Sequence, residues 1–572
     1  MFGVTGLPLY PGIQQWEEAG VSLLNALENY LKLSTSLGKE SLACGAPPTY
    51  LAARIDAALG SLHTTLGQQL AQSQSALAQT RNQMLVPLNS FPEEVLSDIF
   101  MHVVFAPVDQ FDGNSPLSIR GYVIKIHCAL HNLLGVCTMW RDVAINRGAL
   151  WSIVPLFDKV KIPLDYGSTL DRALHLNKGV GLNLVANTRC DETDVSLLAH
   201  HVTQFRSVSI VNTPPHMIRT ILGAFAEWHG PEPLRLSQLS LYRTEHGDQA
   251  EAYIFQDASK QQSFDRLQQS FDRLVKDLAL LQMRGTLLNW ETIAFSDRLT
   301  TFHLEDVILG FDTKFVALLG ALSSATQLRE LRIIRVSTYT DSTPLQGPAE
   351  SSKFWLPTLE SLRIEGLSFN TLRLLLLAIQ SRHHRLSLTL TSKSRRIHSR
   401  TPLGNVNLKI DKLCELLKAV PVHVLGIVNG LATEPMLSAA ELKKLVEVLR
   451  PLETLHIRTL KLESDFCMAL ERPREPHGST FPNFVHLDFS CLILVDPDAV
   501  RRTVDSHSSS IQRRVSLAKA YNETDYQTDW EIECRRRQEQ LINWLSENVP
   551  EFTMTDGYLE PVKFRQFFRE RW

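Results

Sequence analysis

Apolar residues recur at three- and four-residue steps through roughly the first 150 positions and at two-residue steps through much of the rest. The chain therefore predicts helices first and short strands later. Residues 12–36 carry Val21, Leu24, Leu27 and Leu31 on one stripe, and Gly45-Ala46-Pro47-Pro48 breaks that helix. A longer one runs from about Tyr50 to Met84 through Leu51, Ile55, Leu59, Leu62, Leu66, Leu70 and Leu77, with Pro87 as its stop. Its other faces are Gln, Ser, Thr and Ala, which suit a self-packing hairpin or, as the alternative, a dimerisation arm. Ser90-Phe91-Pro92-Glu93-Glu94 opens the next helix: Ser90 can cap, proline sits where its missing N–H costs little, and two carboxylates face the positive helix end. Val95, Leu96, Ile99, Phe100 and Val103 form its apolar stripe. A loop at about 107–121 precedes one helix from about Tyr122 to Asn146, which holds Val136, Cys137 and Trp140; Leu150 and Trp151 come straight after it.

From about Gly179 the texture becomes short apolar alternations separated by helical stretches. Leu182/Leu184, Val208/Ile210, Leu239/Leu241, Phe302/Leu304, Leu331/Ile333, Leu362/Ile364, Leu386/Leu388, Val422/Val424, Leu455/Ile457 and Leu487/Phe489 recur at steps near 30 residues, with one step of 63. One strand and one helix per unit at that period reads as a solenoid of short parallel strands plus helices. Residues 243–290 form a helical insertion whose tandem heptad repeats Phe264 as Phe271 and Leu267 as Leu274 on one face, for packing on the solenoid or, as the alternative, for contact with a partner. Residues 339–353, with Pro344, Gly347 and Pro348, read as a loop insertion, and residues 501–572 as a polar helical cap or tail.

Length and charge narrow the function classes. A chain of 572 residues is too long for one simple core. Its 58 basic and 61 acidic residues leave a net charge of −3, which removes the electrostatic case for a nucleic-acid or anionic-membrane partner. No stretch reaches the roughly 18 uninterrupted apolar residues of a membrane span, and the first residues lack a signal peptide's pattern. The eight cysteines are scattered without a Cys-x-x-Cys pair, against both a disulfide framework and structural zinc. A protein of the cytoplasm or nucleus is expected.

Catalytic motifs are missing as well: no phosphate-binding loop, no Gly-x-Ser-x-Gly elbow and no His-Glu-x-x-His. The pairs His200-His201 and His383-His384 read as packing or surface residues, since neighbours point to different sides of an element. The basic cluster Lys393, Arg395, Arg396, His398 and Arg400 reads as a solvated connector. No cofactor, no metal and no catalytic residue is expected.

The segment from Phe91 to Trp151 resembles an F-box, the helical module by which F-box proteins bind the Skp adaptor of Skp–cullin–F-box ubiquitin ligases. The family opens with Leu-Pro-x-Glu and an apolar helix; here Phe91 replaces the leucine, while Pro92, Glu94, Leu96, Ile99 and Phe100 stand at matching places. The family's Val-Cys-x-x-Trp and Leu-Trp appear as Val136, Cys137 and Trp140, then Leu150 and Trp151. The longer loop and the order of parts look like the divergent F-box proteins of mushroom-forming fungi, with degenerate leucine-rich repeats behind the F-box.

The resemblance implies an α/β chain divided into a helical arm (1–86), a three-helix F-box (87–155), a leucine-rich-repeat-like solenoid (156–500) and the C-terminal cap or tail (501–572). It implies an adaptor-binding set of Phe91, Pro92, Glu94, Leu96, Ile99, Phe100, Val136 and Cys137, with Pro92, Leu96, Ile99 and Phe100 supplying much of the contact, while Trp140, Leu150 and Trp151 hold the module together with some contacts to the adaptor. The partners it implies are the Skp adaptor, through it the cullin and RING subunits, and a protein substrate held by the solenoid, with the chain itself non-catalytic. Two other readings stay open. One is a repeat scaffold with a vestigial F-box. The other is an enzyme with a site assembled across repeats, whose mark would be clustered buried carboxylates or histidines.

Overall fold

The computed structural model describes residues 10–85, 91–105, 119–157, 166–187, 195, 198–243, 261–340, 353–381, 383–399, 406–429, 436–473, 481–494, 496–507, 514–518 and 529–555. The expected cap Ser90, the stop Pro87, most of the two expected loops and the last 17 residues lie outside this set. Chain contacts divide the molecule into two compact units, residues 1–96 with 137–139, and residues 97–136 with 140–572.

Helix α1 spans Pro11–Ala43, longer than the apolar stripe predicted, and Gly45 turns the chain at φ 80°. Helices α2 (Pro48–Ala57) and α3 (Thr64–Leu85) are joined without interruption by a π turn, Ala58–His63. Helix α4 is Glu93–Val104. The single helix expected to Asn146 is two, α5 (Ile119–Val136) and α6 (Thr138–Asn146). The break is stabilised by a side chain: Arg141 Nε donates to the Leu134 carbonyl at 3.0 Å, near the end of α5, where carbonyls lose their helical partners.

Beyond Trp151 the described residues build a main parallel sheet of fourteen strands whose spatial order is the order of the sequence. The strands are β1 (Ile153–Phe157), β2 (Leu182–Asn187), β3 (Phe205–Val211), β4 (Gln238–Tyr242), β5 (Leu280–Arg284), β6 (Thr301–Glu305) and β7 (Glu330–Ile334). There follow β8 (Ser361–Glu365), β9 (Arg385–Leu390), β10 (Val422–Val428), β11 (Thr454–Leu462), β12 (His486–Leu494), β13 (Arg514–Ala518) and β14 (Glu551–Thr555). Helices lie between many of them, among them α7 (Tyr166–Leu176), α8 (Pro215–Ala226), α9 (Gln261–Val275), α10 (Asp312–Ser323), α11 (Phe369–Ala378), α12 (Ile410–Leu417) and α13 (Ala439–Val448). This is an α/β arrangement of solenoid type, one strand per turn.

Register explains why alternation carried the prediction. One unbroken column runs from Leu156 through Ala186, Ile210, Leu241, Met283 and Leu304 to Ile333, Ile364, Leu388, Leu425, Leu455, Leu487, Val515 and Phe552. All of these but Phe552 are buried, so a slip of one residue in any strand would turn its column position to the polar face. Three expectations change. The sheet continues through β13 and β14 into residues 501–572, which were expected to be a polar helical cap or tail. The step of 63 hides β5, whose Leu281 and Met283 sit inside the stretch expected to be a helical insertion. In β10 an irregularity after Leu386 shifts the pairing, so Leu425 and Ile427, not Val424, continue the buried columns. The second heptad copy packs inward, with Phe271 and Leu274 buried.

Candidate functional site

Helix α4 begins where the sequence places it. The Pro92 carbonyl accepts from the N–H groups of Val95 and Leu96 at 3.1 and 3.2 Å, and Glu93 and Glu94 occupy the first turn, where the helix dipole favours carboxylates. The helix carries two apolar stripes, each at four-residue spacing and one residue apart, hence about 100° apart around the axis. Leu96, Phe100 and Val104 are buried at 0, 1 and 4% exposure. Phe91, just ahead of the helix, and Val95, Ile99 and Val103 along it are 41, 43, 36 and 55% exposed.

This corrects the division of labour expected for the module. Leu96 and Phe100 are core residues and offer no surface to a partner, because their side chains are removed from solvent already in the free chain. Ile99 is exposed as expected, and Pro92 and Glu94 are exposed beside it. Val95 and Val103, outside the expected contact set, are exposed as well, and their spacing from Phe91 and Ile99 makes them one stripe.

Of the residues expected to brace the module, Leu150 and Trp151 are buried and Trp140 is half-buried. The Phe100 and Trp140 rings lie 5.0 Å apart. Leu150 and Trp151 are buried in a short 3-10 turn, Gly148–Trp151, and the Trp151 indole N–H donates to the Ala144 carbonyl at 2.8 Å. That turn meets the first repeat closely: a β-carbon on Gly148 would stand 2.1 Å from the Asn177 carbonyl oxygen, so only glycine fits. Lys178 Nζ bonds Asn146 Oδ1 at 2.8 Å across the same junction. His127 on α5 is buried, and burial pushes its imidazole down to about 4 against a smaller opposing effect of its bond to the Ile153 backbone. Val136 is exposed, and Cys137 is a half-buried free thiol.

On the sheet, charge gathers at the ends of β5 to β8. Arg284 Nε pairs with Asp306 at 2.7 Å and lies 3.6 Å from Glu305. Arg335 contacts Glu305 and Asp306 and lies 3.4 Å from Glu365. The Asp306 hydrogen bond holds the Arg335 guanidinium above its usual range; burial opposes this, and the Glu305, Asp306 and Glu365 charges reinforce it. Burial alone would raise the Glu330 carboxyl, but the neighbouring His303, 3.7 Å away, and Arg332 outweigh it and bring it down to about 2. These charges are satisfied by one another.

A second polar cluster crosses β11 to β14. His456 Nδ1 meets Asp488 Oδ2 at 2.9 Å, His486 Nε2 meets Ser516 Oγ at 3.1 Å, and Ser516 Oγ meets Thr553 Oγ1 at 2.9 Å. Burial, then His456, lowers His486. Clustered buried histidines are the mark expected of an enzyme, and a nucleophilic serine needs a base that is itself oriented by a third group. The Asp488 contact goes to His456 and not to the histidine that bonds Ser516, and Ser516 is itself buried and shared with Thr553. The strand residues around it are engaged in the parallel ladder on both sides. A base-orienter-nucleophile chain with free oxyanion donors is not found among the described residues.

His383 and His384 line an open groove of about 900 Å³ with Trp355, Leu376, Ile379 and His423. Burial and then the His423 charge lower His384. His201 stands edge-on to His175 at 6.2 Å and bonds Gln204. Within the basic cluster Arg395 is a clamp: it donates to the Met436 carbonyl at 2.8 Å and pairs with Glu441 at 3.1 Å. His398 stacks on Tyr339. Among the described residues no group of three or more His, Cys, Asp or Glu is placed to hold a metal, and no helix is long and apolar enough to cross a membrane. No family model matches the chain, and no curated protein matches it.

Proposed function

We propose that this chain is the substrate-recruiting F-box subunit of a Skp–cullin–F-box ubiquitin ligase, with residues 91–151 as the F-box and the parallel repeats as a leucine-rich-repeat-like substrate arm. The observation that carries the reading is the exposed stripe of α4. A helix that buries Leu96, Phe100 and Val104 for its own module still presents Phe91, Val95, Ile99 and Val103 to solvent, with Pro92 and Glu94 at its start. An apolar row of this kind on an otherwise satisfied helix suits helix-in-groove docking. A partner covering it would bury on the order of 800 Å² per side, with the energy concentrated in a few anchors.

In this reading the chain contributes position rather than chemistry. The F-box ties it to the adaptor, and through the adaptor to cullin and RING subunits. The exposed face of the sheet holds a protein substrate, and a recruited ubiquitin-conjugating enzyme forms the isopeptide bond. The gain is effective concentration and orientation. The close Gly148–Asn177 approach supports it, because a stiff junction between module and first repeat would fix where the substrate is offered.

Capture by purified Skp adaptor tests the proposal. The pair Val95→Asp and Ile99→Asp changes exposed positions, so the fold should persist while adaptor affinity falls about 100-fold or more. Undiminished capture by that double variant would sink the F-box reading. A wild-type chain that does not bind the adaptor at all would leave a repeat scaffold in its place.

A further inference from the structure

The helical hairpin ahead of the docking helix is not used by the reading above. Helix α1 runs for 33 residues without a buried side chain, and α2 and the π turn after it have none either. Helices draw most of their stability from packing an apolar face, so this hairpin is built for more contact than it makes. Its internal seam is narrow: Tyr30 Oη meets His63 Nε2 at 3.3 Å, and Leu27, Leu51 and Leu66 are only half-buried. Beside the seam Leu24 and Leu31 on α1 are 57 and 65% exposed, and Leu59 and Leu70 on the second arm are 54 and 45% exposed.

We propose that a second copy of this chain covers these faces, the two hairpins closing into a four-helix bundle about a two-fold axis. This rests on the hairpin alone and holds whether or not α4 binds an adaptor. Charge argues for a like partner. Residues 57–80 contain no Asp, Glu, Lys or Arg, and elsewhere the hairpin sets Lys32, Lys39, Arg54 and Arg81 against Glu17, Glu18, Glu28, Glu40 and Asp56. Two such surfaces do not repel each other, and neither offers the single-sign field that would draw a strongly charged partner.

Area argues the same way. Among the described residues seventeen large apolar side chains between Tyr10 and Met84 are exposed. If about half of them faced a partner, the area covered would be on the order of 700 Å² per copy, close to the ~800 Å² of a standard interface. An isologous contact uses the same patch twice, and four helices give each stripe two neighbours where the hairpin gives it one.

Light scattering on the full-length chain, eluted at about 10 µM, tests this. The wild type is expected at twice the mass of one chain. Leu24→Glu with Leu31→Glu is expected at the mass of one chain, as is Leu59→Glu with Leu70→Glu on the other arm. Thermal melting of the sheet should be unchanged in both variants. The milder pair Leu24→Gln with Leu31→Gln should dimerise only at higher concentration, which keeps the result readable if a charged variant misfolds. A wild type with the mass of one chain overturns the proposal and leaves the hairpin to a different protein. A dimer that survives both Glu pairs also overturns it, since the contact would then lie elsewhere.

Discussion

Arg335 closes on Asp306, its Nη2 2.9 Å from Asp306 Oδ2, and both residues hold left-handed backbone, at φ 50° and 53°. Each directly follows a strand, β7 and β6, in the place that Gly285 and Gly366 take after β5 and β8. The conformation continues the ladder past the strand end: Asp306 N–H donates to the Ile334 carbonyl and Arg335 N–H to that of Glu365. A non-glycine residue there costs roughly 1–2 kcal/mol, which the ion pairs offset.

This gives an ordering of variants. Arg335→Ala keeps the strain and strands partly buried carboxylates, and should destabilise by about 3 kcal/mol. Arg335→Gly loses the same ion pairs but relieves the backbone, so it should be milder by ~1 kcal/mol. Urea unfolding followed by far-ultraviolet circular dichroism reads the difference. Equal loss in both variants would show that the left-handed turn carries no strain.

Gly148→Ala is expected to be among the most damaging single-methyl changes in the chain. Its new carbon would meet the Asn177 carbonyl at 2.1 Å, and backbone cannot rotate away as a side chain can. A loss of about 3 kcal/mol or more is expected, centred on the junction of the 3-10 turn with the first repeat. Limited proteolysis near residues 146–152, together with loss of the near-ultraviolet signal of Trp151, is the measurement.

How legible this chain was depends on which force set each feature. The buried columns were readable because a parallel strand with one packed face must alternate, and Leu362/Ile364 or Leu455/Ile457 have no other reason to. Strand β5 was hidden because Leu281 and Met283 follow an amphipathic helix closely and stand only about 20 residues ahead of the next pair. The break at Cys137 has no proline to mark it; the Arg141 side chain reaches back across it to the Leu134 carbonyl. The turns at Asp306 and Arg335 carry no glycine signature, since tertiary ion pairs hold them. For α4 both stripes are apolar, so the sequence fixes their spacing but not which one faces inward. The tandem heptad in α9 is ambiguous in sequence in the same way, and its second copy packs inward, with Phe271 and Leu274 buried.

The two stripes of α4 should therefore separate stability from binding. Leu96→Ala removes a fully buried side chain and should cost about 2–5 kcal/mol. Val103→Ala, at 55% exposure, should stay within ~0.5 kcal/mol of wild type. Thermal melts and adaptor capture run on the same two proteins make the comparison. A Val103 variant that melts early, or a Leu96 variant that does not, would reverse the inward and outward faces.

Acid should loosen the module through His127. Its folded imidazole titrates near 4 because burial penalises the charged form, whereas an unfolded histidine titrates near 6.5. The unfolded chain therefore binds more protons between those values, so stability is complete above about pH 6.5 and falls as the pH drops toward 4. Between pH 7 and 5 the loss from this one residue is about 2 kcal/mol. His201, His384, His398 and His486 are lowered too, so they act in the same direction, while the Glu330 carboxyl, near 2, stays ionised across this window. His127→Gln keeps a donor for the Ile153 backbone and removes the titration. In urea titrations read by tryptophan fluorescence at pH 7 and 5, the wild-type midpoint should fall clearly more than the Gln variant's. Parallel falls in the two proteins would place the acid sensitivity in the other histidines.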